Sequence, residues 1–432
     1  MNKITILFLI SVLYVQDWMP FHPFELDKNY DIELDYSYID RLAANIPLNQ
    51  LRQSLSHEII GYLPYWKYDQ YPYLDYNLLT QINYFSAELN EFGDIVNNHN
   101  WQNLSLVEFA HERGVKVKLC ATLFGENQLR GLLSSPFNRQ NAINNLLQLV
   151  MSKGADGVDI DFELVPVDQR DNLVLFMEEL SFIFHTNMGD PIITMATPAV
   201  DWSNAWDYES LAEITDGLFI MGYNYFYSGS SSAGPVSPLG GYYYDIEYSV
   251  DDYINKTSGQ LDKLILGLPY YGYDWPVVSS VIGASTTGYG IAKTYSEAES
   301  ITQQYEYNWD SSSSSAWVPY QTNNWYQCWY DDSLSLSIKY QFAIEKDIKG
   351  IGIWALGYDQ NSDKLWGAIS DKFNLTLIGD INFDQEVNIQ DVIIIINSIV
   401  IGEPYQSSAD INNDYMVNVL DVVGIVNIIL NN

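Results

Sequence analysis

The sequence predicts an α/β protein: a (β/α)8 TIM barrel with a small α+β insertion between strands seven and eight, followed by a small all-α module. Three observations point there. Short β-rich runs alternate with helical stretches across residues 57–374, a length that suits a barrel of about 250 residues plus insertions. One of those runs carries a carboxylate at every second position. After Phe373 the composition changes: Lys and Arg vanish from residues 379–432, and an internal repeat begins.

Composition narrows the function before any motif does. The 432 residues hold 20 Lys plus Arg against 55 Asp plus Glu, a formal net charge of −35. Phosphate backbones are bound by clustered cations, and anionic membrane surfaces attract basic segments. Neither nucleic acid nor a membrane surface is therefore an expected partner. With 47% apolar and 17% charged residues the chain can bury a large core. The 34 Tyr and 12 Trp suit sugar stacking as well as core filling, being flat rings with polar edges. Cys120 and Cys328 are either free and buried or one long-range pair.

Taken in order, the chain opens with Lys3 and an apolar run from Ile4 to Val15, stopped by Gln16 and Asp17. That run is too short for a bilayer, which needs about 20 residues. A positive start and a short apolar core read as a secretory signal peptide over residues 1–20, so the expected location is extracellular. Residues 21–56, without sustained period, read as a leader or linker. The strand candidates are Ile59–Trp66, Ile82–Ala87, Val115–Thr122, Gly157–Glu163, Ile192–Ala199, Gly217–Tyr225, Leu264–Tyr271 and Gly350–Leu356. Amphipathic helical segments such as Arg139–Ser152 and Arg170–Phe184 lie between them. A doubly wound open sheet would carry a Gly-rich phosphate turn after its first strand, and none is present. The gap from Pro276 to Lys349 holds a hairpin-like stretch, read as an insertion over the barrel mouth, and ends in a Ser-capped helix over Ser333–Asp347.

The fourth run is the most informative: Asp156, Gly157, Val158, Asp159, Ile160, Asp161, Phe162, Glu163. Side chains alternate on a strand, so Asp159, Asp161 and Glu163 share one face. Three aligned carboxylates repel one another and lose protons as a coupled set, with at least one pKa raised. A raised carboxyl pKa is what a general acid near neutral pH needs. Glu163, last on the strand, projects furthest toward the C-terminal mouth.

This D-G-x-D-x-D-x-E strand resembles the corresponding strand of glycoside hydrolase family 18, the chitinase and endo-N-acetylglucosaminidase family. Further matches fall in register: Gly61–Trp66 on the first strand; Met221, Gly222, Tyr223 and Asn224 on the sixth; Gly267–Trp275 on the seventh, similar to the spore-cortex and peptidoglycan-acting branch; and Gly352–Gly357 on the last. The resemblance implies substrate-assisted retaining hydrolysis without an enzyme nucleophile and without a catalytic cofactor. It assigns Glu163 as the acid and Asp161 as the group orienting the substrate's acetamido N–H. Asp159 would share a proton with Asp161, and Tyr223 would hold the acetamido oxygen. Trp354 is assigned to the floor of the sugar site, and Met221, Asn224, Tyr62 and Tyr271 to the substrate-binding set. The substrate expected is a β-1,4-linked N-acetylglucosamine polymer, chitin or chitin-like. Peptidoglycan is the rival substrate, N-glycans trail, and a catalytically silent sugar-binding protein or surface component is the rival class. Two departures stand out. Asn224 replaces the family's usual Asp, and strand three reads Cys120, Ala121, Thr122, Leu123, Phe124, Gly125 where a Ser/Gly-rich motif is usual.

In residues 377–432 the pattern Asp380, Asn382, Asp384, Asn388, Asp391 recurs as Asp410, Asn412, Asp414, Asn418, Asp421. Oxygen ligands at positions 1, 3, 5, 9 and 12 of a loop suit Ca2+, with the Glu386 and Met416 carbonyls at position 7. Apolar runs Val392–Val400 and Val422–Leu430 follow the loops. Neither is long enough to span a membrane. The repeat resembles a type I dockerin, which implies structural calcium and docking on a cohesin-like or cell-surface protein. Gln385 and Tyr415 replace the Gly common at position 6, and the recognition positions read Ile389-Gln390 and Val419-Leu420.

Overall fold

The computed structural model describes residues 34–46, 55–374, 379–382, 386–401, 407–412 and 416–431. Its centre is a closed parallel barrel. Strands β1 (Glu58–Pro64), β2 (Gln81–Leu89), β3 (Lys116–Phe124), β4 (Gly157–Glu163), β5 (Ile192–Pro198), β6 (Gly217–Met221), β7 (Leu264–Pro269) and β8 (Gly350–Trp354) pair with their sequence neighbours, and β1 closes the ring on β8. A short antiparallel strand, Ile95–Asn97, adds to the end of β2. Barrel strands are buried on both faces, so they read as apolar runs rather than as alternation. β4 departs from this rule only on its inner face. Gly157 starts β4 where any Cβ would lie 1.8 Å from the Ile192 carbonyl oxygen, so the β4–β5 seam needs glycine there.

The helices follow sequence signals. Pro136–Lys153 begins with the Ser135 side chain accepting from Asn138 N–H and has Pro136 in its first turn. It stops at Gly154 in the left-handed region, φ 63°. A Ser cap, a Pro start and a Gly stop are the expected punctuation. The helix Ser333–Glu345 starts one residue earlier than a Ser333 cap implies: Asp332 is the cap, accepting from Ser335 N–H at 2.8 Å.

Several boundaries differ from the sequence reading; β1 and β8, for example, end two residues early, at Pro64 and Trp354. β6 ends at Met221, not Tyr225, because Gly222 N–H turns onto the Gly267 carbonyl and Asn224 sits at φ 59°. β7 ends at Pro269. Tyr270 N–H is drawn onto the Trp354 carbonyl at 2.6 Å, and Tyr271–Val277 opens a second sheet. That sheet is antiparallel and five-stranded, in the order Ile291–Thr294, Tyr271–Val277, Trp325–Tyr330, Ser315–Gln321, Asn308–Asp310, with the helix Tyr295–Thr302. The α+β insertion therefore starts at Tyr271 rather than Pro276. Lastly, the segment read as leader contains a helix, Tyr36–Ala43, which buries Ile39 and Ala43. Tyr68 and Tyr71 donate their hydroxyls to its Asp40 carboxylate at 2.7 and 2.9 Å. Two turns are too few to show a period in the sequence. The proposed signal peptide, residues 1–20, lies outside the described residues.

Helices Ile389–Ile401 and Val419–Asn431 form the C-terminal module, with its own small core of Ile381, Val392, Ile395, Ala409 and Ile425. Among the described residues no helix is long and apolar enough to cross a membrane. Cys120 and Cys328 are both free and buried, which settles the pairing question.

Candidate active site

The alternation on β4 sends Asp159, Asp161 and Glu163 up the barrel interior, the first two buried and Glu163 half-buried at the mouth. Asp159 is held from both sides. Tyr62 on β1 donates its hydroxyl to Asp159 Oδ2 at 2.7 Å, and Thr194 on β5 donates to Oδ1 at 2.5 Å. Thr194 in turn accepts from the buried Lys118 Nζ on β3, also at 2.5 Å. Burial pulls the Lys118 ammonium down to about 8, against the opposing pull of Asp159, Glu58 and Asp216. Cys120 lies beside the same carboxylate, and burial pushes its thiol well above the usual range.

Asp161 is in the opposite condition. Burial first, then the charges of Glu163 and Asp159, push its carboxyl well above the usual range, and its Oδ1 has no hydrogen-bond partner among the described residues. Burial between two other carboxyls, without a donor, favours the protonated form of this one. This is the raised member that the sequence pattern requires.

Tyr223, from the turn after β6, is buried nearby. Burial and the Asp161 and Glu163 charges raise its hydroxyl well above the ordinary value, so it remains a donor. Tyr271 donates its hydroxyl to Asn224 Oδ1 at 2.5 Å, and its ring meets that of Tyr223 at 6.0 Å. Trp354 ends β8, packed between Tyr62 and Phe85 at ring distances of 5.5 and 5.0 Å. Met221 lines a cavity together with Glu163, Trp202 and Trp206.

The structure thus brings Asp159, Asp161, Glu163, Tyr223, Asn224, Tyr271 and Trp354 to one end of the barrel. Tyr62 and Tyr271, expected in the substrate-binding set, are buried with their hydroxyls engaged by Asp159 and Asn224. Buried hydroxyls find protein partners, and these two do so at Asp159 and Asn224. Sequence reasoning missed Lys118, Thr194, Trp202 and Trp206. The available signal was Lys118 itself, a lysine between Val117 and Leu119 in a largely apolar strand.

The C-terminal loops close in matching ways. Asp391 Oδ1 accepts from the Ile381 and Asn382 N–H groups and Oδ2 from Asn388 N–H. Asp421 does the same with Ile411, Asn412 and Asn418. Asp380 and Asp410 are buried. Asn388 and Asn418 each turn Oδ1 onto the start of the following helix, at Gln390 and Leu420 N–H. Asp384 and Asp414 lie outside the described residues. Among the described residues no three His, Cys, Asp or Glu side chains gather as a metal-binding group. The oxygen-only donor set and buried carboxylates fit a hard cation.

Residues 58–359 match the model of glycosyl hydrolases family 18. The chain belongs to that family. Among relatives, YdhD of Bacillus subtilis (strain 168), named a sporulation-specific glycosylase, is 27% identical over 322 residues, 70% of this chain and 73% of its own. The cortical fragment-lytic enzyme of the same organism is 26% identical over 262 residues, 58% of each chain. A family 18 chitinase from Cycas revoluta, solved with (GlcNAc)3, superposes with a TM-score of 0.67 at 21% identity, covering 73% of this chain and 99% of that one. This likeness is one of fold.

Proposed function

We propose that this family 18 chain is a secreted retaining glycosidase that cleaves β-1,4-linked N-acetylglucosamine polymers, with Glu163 as its acid. One observation carries the reading: Asp161 is a buried, partner-poor carboxyl between Asp159 and Glu163 on one strand face. In the proposed reaction Glu163 gives its proton to the glycosidic oxygen as the bond from that oxygen to the anomeric carbon breaks. The substrate's acetamido carbonyl oxygen forms the new bond to that carbon, giving an oxazolinium ion. Asp161 passes its proton to Asp159, with which it shares it, and so accepts the acetamido N–H and offsets the positive charge. Tyr223 donates to the acetamido oxygen, and Trp354 floors the sugar. Water then adds to the anomeric carbon as its bond to the acetamido oxygen breaks, and Glu163 takes the proton that the water loses. No cofactor takes part in these steps.

Chitin is the substrate we favour. The names of the Bacillus relatives favour a second, peptidoglycan-type substrate. Product analysis on chitin oligosaccharides and on purified muropeptides, wild type against Glu163→Gln, tests the proposal. Cleavage by wild type alone supports it and selects the substrate. Binding without cleavage by either protein would establish the sugar-binding alternative.

For the C-terminal module we propose a calcium-stabilised, dockerin-like anchor. Asp380, Asn382, Asp384, Asn388 and Asp391 would hold one ion, and Asp410, Asn412, Asp414, Asn418 and Asp421 the other. Its partner would be a cohesin-like or cell-surface protein.

A further inference from the structure

We propose that Trp202, Tyr243 and Tyr244 form a docking platform for a neutral carbohydrate chain on the leaving-group side of Glu163. The proposal rests on the reading of Glu163 as the acid and extends it to the part of the substrate beyond the scissile bond.

Position is the first argument. In a closed eight-strand barrel β4 faces β8, so Glu163 and Trp354 stand across the mouth from each other. Trp202 follows β5, the strand beside β4, and lines the same cavity as Glu163 and Met221. A chain whose reacting sugar rests on Trp354 passes Glu163 and meets Trp202 next. From there the rings continue outward. Trp202 meets Tyr244 at 4.6 Å, and Tyr244 meets Tyr243 at 4.6 Å and Tyr248 at 5.0 Å. The loop bearing the tyrosines runs between β6 and the helix Ile246–Lys256, so it also belongs to the C-terminal, catalytic face.

Exposure and rigidity supply the second argument. Trp202 is 45% exposed and Tyr243 81%. Contiguous aromatic surface left in water is unfavourable and marks a contact area. The turn that presents it is pinned: the Asp245 carboxylate accepts from Tyr242 N–H at 3.2 Å and Tyr248 N–H at 2.9 Å, and Leu239 N–H reaches the Ser313 carbonyl of the insertion. Rings fixed before binding lose little entropy on it.

Charge chooses the occupant. Residues 201–255 contain no Lys or Arg, while Asp201, Asp245 and Glu247 flank the rings. Such a surface repels polyanions and offers no partner to acidic peptides. Pyranose rings present apolar C–H faces and hydroxyl edges, matching an aromatic face bordered by tyrosine hydroxyls.

Two measurements on the full chain test this. The first compares kcat/KM on a hexamer of β-1,4-linked N-acetylglucosamine with that on an aryl glycoside of the dimer, which has no sugar beyond the bond. Tyr243→Ala is expected to lower the hexamer value about tenfold, chiefly through KM, and to leave the aryl glycoside within about twofold, with Tyr243→Phe restoring the hexamer. The second is depletion on insoluble chitin in the Glu163→Gln background, where Trp202→Ala and Tyr244→Ala are expected to weaken binding about tenfold each. Thermal melts exclude misfolded variants. Equal losses on both soluble substrates, or unchanged hexamer kinetics and chitin binding, would overturn the platform. If the wild type cleaves nothing yet binds chitin through these rings, the catalytic reading fails and the platform stands.

Discussion

Lys118 and Asp159 are joined through a single hydroxyl: Lys118 Nζ donates to Thr194 Oγ1, which donates to Asp159 Oδ1, each at 2.5 Å. Tyr62 occupies the other carboxylate oxygen. Asp159 therefore accepts on both oxygens, whereas burial and the neighbouring Glu163 and Asp159 charges raise the Asp161 carboxyl well above the usual range.

Replacing Lys118 with Met removes a cation from beneath the carboxylates. The other charged or titratable groups facing Lys118 are Glu58, Asp159, Asp216 and Cys120. Without the ammonium, ionising any carboxyl above it is harder, so both limbs of the pH–kcat/KM profile should move to higher pH, by about half a unit to one unit. Stability gives a second readout. The Lys118 pKa falls from 10.5 in the unfolded chain to about 8. Between those values the unfolded chain binds more protons, so this group makes stability rise with pH there. That contribution should be missing from the variant. A pH profile superposable on wild type would contradict the role.

Asp161→Asn should inactivate and stabilise at once. Folding raises the Asp161 pKa, so the folded chain holds a proton that the unfolded chain has released. The group's contribution to stability is present below the unfolded value of 3.8 and is lost as pH rises through the raised folded one. An amide avoids this loss, and the variant should gain about 1–3 kcal/mol at pH 7 and nearly nothing at pH 3.5. Thermal melts across that range check it, alongside a kcat fall of about 100-fold or more.

The insertion is tied to the barrel by a buried pair, Lys339 Nζ to Asp331 Oδ2 at 2.5 Å. Asp331→Ala strands a buried ammonium, and the expected cost is about 3–5 kcal/mol by denaturant unfolding. Asp331→Asn, which keeps an acceptor, should cost less. Equal stability of all three proteins would contradict the pairing.

Calorimetry on the full chain should detect calcium binding at the C-terminal loops. Asp391→Ala and Asp421→Ala should each remove one binding event, since each carboxylate closes its loop through three backbone N–H groups. Absence of any calcium-dependent heat or melting shift would remove the calcium proposal.

Much of this was legible in the sequence because period and function coincide. The barrel shows as eight apolar runs, and the β4 face shows because alternation at Asp159, Asp161 and Glu163 has no packing explanation. What stayed hidden depends on contacts distant in sequence. Lys118 and Thr194 meet Asp159 only when β3, β4 and β5 lie side by side. Tyr62 and Tyr271 stand out in their motifs, but their hydrogen bonds to Asp159 and Asn224 join segments far apart in sequence. The helix Tyr36–Ala43 is too short to declare itself, and its reason to exist is Asp40 under two tyrosine hydroxyls. Trp202 lies in a loop, where no periodicity reports a site.

Proton NMR of the first product, recorded before mutarotation, tests the central claim most directly. Substrate-assisted attack by the acetamido oxygen with Glu163 as acid predicts that wild type releases the β anomer from a chitin oligomer. Glu163→Gln should slow release about 100- to 10,000-fold, and an otherwise identical substrate with a 2-hydroxyl in place of the acetamido group should not be cleaved. Initial release of the α anomer, or equal cleavage of the 2-hydroxyl substrate, would contradict it.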